Sequence, residues 1–196
     1  MTRGYGDLTE KAADLVEEMW LEALERRGTA TMLVVGDSMR PYILRGDRVV
    51  VSAVPDADGV RAGDVVLLRI EKALVVHRIL RRIGAGRKLR FRQKGDATLE
   101  SSVVGSDAVL AKVVRIEHQD GDARPVEPGW SSERLLLWAA VCTTDLLYRS
   151  GHLVKRKLRA LPGVRPGGRL SGSIKRSMRR AQERFVEQLS SKVRPT

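Results

Sequence analysis

Cysteine is all but absent. Cys142 stands alone, which excludes an internal disulfide framework and a thiolate metal cluster. Histidine is nearly as scarce: His77, His118 and His152 are scattered without ligand spacing, so neither a metal nor a cofactor is expected. Aromatic residues make up only 4% of the chain. No apolar run reaches the roughly 20 residues that a membrane-spanning helix needs. The longest, LLLWAAVCTTDLLY from Leu135 to Tyr148, is shorter and contains Asp145; the insertion cost of one Asp, about 3 kcal/mol, cancels the gain of its leucines and valine. Residues 1 to 6 are not followed by the apolar core of a signal peptide. No internal repeat is visible.

What is present suits one ordinary domain with extensions: 196 residues, 42% hydrophobic, net charge +12. The charge is unevenly placed. From Arg149 to the end there are 14 Lys and Arg against Glu183 and Glu187, leaving 22 basic and 22 acidic residues in the first 148. The excess therefore belongs to a tail, which points away from a domain built to hold nucleic acid.

Residues 1–28 read as an N-terminal amphipathic helix from Asp7 to Arg27. Leu8, Ala12, Leu15, Val16, Met19, Trp20, Ala23 and Leu24 lie on one face, Asp7 with Glu10 makes a capping box, and Gly28 is the stop. Residues 29–119 read as β: strands Ala30–Val35, Arg48–Val54, Asp64–Ile70, Ala73–Arg82, Lys88–Gln93 and Ala108–Glu117, punctuated by Gly-Asp and Gly-rich turns. Residues 120–132, with two prolines, read as a linker. Residues 133–160 read as an apolar, then basic, helix that packs on the core or lies at a membrane surface. Residues 161–196 read as a basic tail with an amphipathic stretch from Ser173 to Leu189, suited to an anionic membrane surface, with RNA or an acidic protein as other partners. The fold class is mainly β: a compact antiparallel domain with helical extensions.

The chemistry gathers around Val34 to Val51, VVGDSMRPYILRGDRVVV. Ser38 lies on a bend between two strands, and Pro41 fixes one backbone angle just beyond it. A serine hydroxyl attacks only when a base takes its proton. His77 follows within a β-rich stretch, and Asp96 sits on the Gly95-Asp96 turn. Ser, His and Asp thus offer nucleophile, base and orienting carboxylate, roles that recur in several chain orders.

The run G-D-S-M-R-P-Y-I-L-R-G-D-R-V-V-V resembles the nucleophile motif of type I signal peptidases, S-M-x-P followed by G-D and an apolar strand. Gly63-Asp64-Val65-Val66 resembles that family's next box. His77-Arg78-Ile79 occupies the place where bacterial enzymes carry Lys-Arg, and Lys94-Gly95-Asp96-Ala97 is similar to the K-G-D-A/N box of the endoplasmic-reticulum, archaeal and spore-former branch. The likeness covers about Ala30 to Glu117. LexA-type repressors share the fold and the Ser-Met but use lysine as base and lack the Pro.

The resemblance implies the signal peptidase/LexA fold and a serine endopeptidase acting on a leader or signal-type peptide or preprotein. It makes Ser38 the attacking group, with its backbone N–H holding the oxyanion. His77 becomes general base and then acid, and Asp96 the carboxylate that steadies the imidazolium. The branch's further acid is not in its usual place; Glu100 is the candidate auxiliary acid. Met39 is expected beneath the cleft, and Asp47 and Asp64 as turn residues without chemistry. The membrane helix that anchors signal peptidases is replaced by the charged helix before Thr29, so a cytoplasmic or peripherally membrane-associated enzyme is expected. Two other readings use the same sequence: a peptide-binding module without catalysis, and membrane or nucleic-acid binding through the basic tail.

Overall fold

Valine and isoleucine in short runs between glycines leave the chain little choice but strands, whose stiff branched side chains pack on a pleated surface. The computed structural model describes residues 18–71, 73–126 and 132–159, together with Arg180 and Arg184. Helix α1 covers 18–27 and ends at Gly28, whose φ of 69° is the left-handed stop expected of it. Strands β1 (Thr29–Leu33), β2 (Arg48–Ala53), β3 (Val65–Ile70), β4 (Ala73–Ile83), β5 (Arg90–Lys94), β6 (Ser102–Gly105), β7 (Val109–Glu117) and β8 (Ala123–Pro125) follow, then helix α2 (Ser132–Arg159). The Asp7–Glu10 cap and the stretch Ser173–Leu189 as a whole lie outside the described residues.

All pairings are antiparallel, in the order β1-β2-β7-β3-β4-β5-β6, with β8 beside β7. Register shifts at Val50/Val51, Leu67/Leu68 and between Ile79 and Arg81 bend the ladders, so the sheet curls. Strand β3 is buried on both faces. Val65 and Leu67 join Met39, Ile43, Val49 and Val51 in one core, while Val66 and Leu68 join Ile79 and Phe91 in a second. Leu24 and Trp20 close α1 onto the first core, but Met19, expected on the same face, is 62% exposed.

Two departures from the sequence reading are local. Strand β8 falls inside the stretch read as a linker, pairing Ala123 with Glu117; its three residues hold a proline and are too few to show alternation. Strand β6 was not foreseen either, because SVVG offers no clear period. Helix α2 crosses the back of the sheet, donating Trp138 Nε1 to the carbonyl of Leu80 at 3.2 Å and burying Val141 against Leu80. Among the described residues, no helix is long and apolar enough to cross a membrane.

Candidate active site

The loop between β1 and β2 carries Ser38, and buried side chains that follow it hold it down. Met39 and Ile43 are 1% and 0% exposed, and Ile43 N–H donates to the Met39 carbonyl at 3.0 Å. The Arg40–Pro41 peptide is cis. At the far end Gly46, with φ 90°, turns the chain into Asp47, whose Oδ2 accepts the Leu44 N–H at 2.8 Å. His118 Nδ1 meets the same Oδ2 at 2.9 Å. Gly63-Asp64 repeats the device, with φ 90° at Gly63 and Asp64 Oδ2 accepting the Arg61 N–H at 2.8 Å. Asp47 and Asp64 are therefore turn-setting residues, as read from the sequence.

Strand β4 supplies His77 and the turn after β5 supplies Gly95. The Ser38 carbonyl accepts the Ala97 N–H at 2.8 Å, which clamps the serine loop to that turn. A Cβ placed on Gly95 would lie 2.6 Å from Ser38 O, 2.9 Å from Ser38 Cβ and 3.1 Å from His77 Nε2. One point thus lies within 3.1 Å of both the serine side chain and the imidazole nitrogen, and glycine is needed there to leave the gap open. Ser38 Oγ and His77 Nε2 share no hydrogen bond as they stand; unliganded sites are commonly looser than the reacting ones.

The partner of His77 is not the one the sequence suggested. Nδ1 meets Gln93 Oε1 of β5 at 2.5 Å. Gln93 is itself turned by its Nε2, which donates to Ser102 Oγ of β6 at 2.5 Å. Because Oε1 only accepts, Nδ1 carries the proton and Nε2 keeps its lone pair on the Ser38 side. Asp96 was expected in this place. Instead its Oδ1 and Oδ2 accept Arg78 Nε at 2.8 Å and Nη2 at 2.7 Å, both side chains fully buried, with the Tyr42 ring 4.8 Å from the guanidinium. Arg78 is the neighbour of His77 in sequence, and its fork takes the carboxylate bidentately. Asp96 still acts on His77 through its charge. Glu100, the expected auxiliary acid, is exposed and accepts the Tyr148 hydroxyl of α2 at 2.6 Å.

Burial lowers the His77 pKa below its ordinary 6.5, against the Gln93 hydrogen bond and the Asp96 charge, which raise it. A neutral imidazole beside a serine is the protonation state a general base requires. Among the described residues no backbone carbonyl accepts the Ser38 N–H. No group of three or more His, Cys, Asp or Glu side chains is gathered as metal ligands among them.

Gln93 escaped the sequence reading for a physical reason. Counting back from the Gly84–Gly86 turn without a bulge pairs Gln93 with Leu80, on the face away from His77. The register shift between Ile79 and Arg81 pairs it with Ile79 instead, on the face of His77.

Compared with known proteins, residues 3–93 match a family model described as Peptidase S24-like. The match includes Ser38, His77 and Gln93 and stops before Gly95, Asp96 and α2. No curated protein matches the chain.

Proposed function

We propose that this protein is a serine endopeptidase of the signal-peptidase-like kind, cutting a leader-type peptide laid beside the Ser38 loop as an added strand. His77 Nε2 takes the Ser38 Oγ proton as Oγ attacks the scissile carbonyl. The Ser38 N–H receives the oxyanion, an interaction worth several kcal/mol of barrier in serine enzymes. The imidazolium then gives its proton to the leaving amine, and a water activated the same way frees the acyl group. Gln93 keeps His77 in the tautomer that leaves Nε2 free, and the buried Asp96–Arg78 pair fixes the turn that holds Gly95.

The observation that carries this reading is the convergence of Ser38 Cβ and His77 Nε2 on one point beside Gly95. The family match at residues 3–93 supports it. The edge beside the serine supports it too. Val34 pairs inward, its N–H donating to Asp47 O and its carbonyl accepting from Gly46, so Leu33 and Val35 turn their backbone groups outward. Their side chains are 58% and 69% exposed. Trp20 Nε1 covers the next outward carbonyl, Thr31 O, at 3.1 Å.

The test is cleavage of leader-type peptides by the purified chain, read by mass spectrometry. Ser38→Ala and His77→Ala should each lower the rate on the order of 10³-fold or more. Equal cleavage by Ser38→Ala would end the assignment. The peptide-binding module remains the second reading, favoured by one observation: the group at His77 Nδ1 is a neutral amide, which stabilises an imidazolium less than a carboxylate. A fluorophosphonate probe separates the two, because covalent labelling of Ser38 that is lost in His77→Ala requires an activated hydroxyl.

A further inference from the structure

The face of the sheet under α2 carries a positive cluster that takes no part in the site above. Register sets Arg81 of β4 opposite Arg92 of β5, and like charges facing each other across two strands repel. Arg149 of α2 joins them. Burial, then Arg149 and Arg81, push the Arg92 pKa down, and Asp145 only partly offsets them. Arg92 Nη1 donates to Ser101 Oγ at 3.0 Å, while its Nε is buried with no hydrogen-bond partner. Asp145 Oδ2 lies 3.9 Å from Arg149 Nη1, at the outer limit of an ion pair. Among the described residues one carboxylate faces three guanidinium groups, which leaves the cluster short of negative charge there.

An apolar stripe adjoins it. Leu146 is 63% exposed, and Leu135, three turns earlier on the same stripe, is 47% exposed. Leu146 lies one turn before Arg149, so hydrocarbon and charge share a flank of the helix. The sequence from Arg149 onward is strongly basic. A fitting occupant must present phosphate next to hydrocarbon over an extended surface. Nucleic acid offers phosphate but nothing for the leucines, and so does free phosphate.

We propose that Arg81, Arg92 and Arg149 form a site for the phosphate of an anionic phospholipid headgroup, with Leu146 and Leu135 set into the outer hydrocarbon of the same leaflet. Guanidinium forks hold phosphate oxygens in pairs, which would also satisfy the buried Arg92 Nε. The site is independent of Ser38, and its failure would leave the peptidase reading untouched.

Co-sedimentation of the full chain with vesicles tests it, using phosphatidylcholine alone and three parts phosphatidylcholine to one part phosphatidylglycerol. Binding should require the anionic lipid. Arg81→Gln with Arg92→Gln should weaken it about 25-fold, taking roughly fivefold for each charge near an anionic surface. Arg149→Gln, on an exposed position of α2, should weaken it about fivefold and serves if the double variant does not fold. The control is Arg87→Gln with Arg90→Gln, exposed residues on the same domain that change net charge equally and should cost less than half as much in factors of ten. Equal loss in site and control variants would mean general attraction by charge and overturn the site. Binding to phosphatidylcholine alone would overturn it as well. Complete competition by millimolar inorganic phosphate, or by a short single-stranded oligonucleotide whose own binding is lost in the site variants, would assign the cluster to a different ligand.

Discussion

Gly95 carries no side chain, and the gap it leaves is flanked by both the serine side chain and the imidazole. Gly95→Ala puts a methyl group within 2.9 Å of Ser38 Cβ and 2.6 Å of Ser38 O, so backbone must shift. The expected cost is about 1–3 kcal/mol of stability, with peptide cleavage lost at temperatures where the variant is still folded; thermal melts beside activity assays measure both. Gln93 sets the pH response. If His77 is the base proposed above, it must be neutral to act; its pKa lies below 6.5 because of burial, so kcat/KM should fall only on the acid side of 6.5 and be flat at neutrality. Gln93→Glu puts a negative charge at Nδ1 and should move that acid limb to higher pH. Asp96→Asn removes a charge that raises the His77 pKa and should move the limb lower. It should also cost about 3–5 kcal/mol, the usual penalty for breaking a buried ion pair. The sequence made Ser38, His77 and Asp96 visible, but not which partner each would choose: Arg78 competes for Asp96, and that is decided by the alternation of β4.

Strand β5 works on both of its faces. Gln93 points toward His77, while Lys94 points the other way, its Nζ donating to Thr144 Oγ1 at 2.6 Å and to the Val141 carbonyl at 3.3 Å. Helix α2 thus holds the strand whose Gln93 orients His77. Burial lowers the Lys94 pKa to about 8, against the charges of Asp145 and Asp96. The sign follows from proton binding: the unfolded chain holds this proton up to about 10.5, the folded one only to about 8, so stability should rise between those pH values. Lys94→Met removes the buried charge. Its melting temperature relative to wild type should be highest below pH 8 and fall toward pH 10.5. A pH-independent difference would show that Lys94 is no less basic than an exposed lysine. The helix itself was legible from its apolar run and basic continuation, whereas its grip on Lys94 was not, because a lysine in a Lys-Gly-Asp turn reads as solvated.

In the sequence of the whole chain the charge is uneven, near-neutral over the first 148 residues and basic from Arg149 onward. Among the described residues, six of the eight strands could be read from apolar runs between glycines, each within a few residues of its ends. The two missed strands are the shortest, where pairing by neighbours rather than local pattern makes the strand. Helix α1 adds one further consequence at the sheet edge. With the Thr31 carbonyl already taken by the Trp20 indole, a chain laid along this edge would meet the outward backbone of Leu33 and Val35 between that cover and the serine. On the peptidase reading the edge would behave as a short ruler, measuring residues up to the bond that is cut. Selectivity for where a peptide is cut would come from the main chain, before any side-chain pocket is consulted.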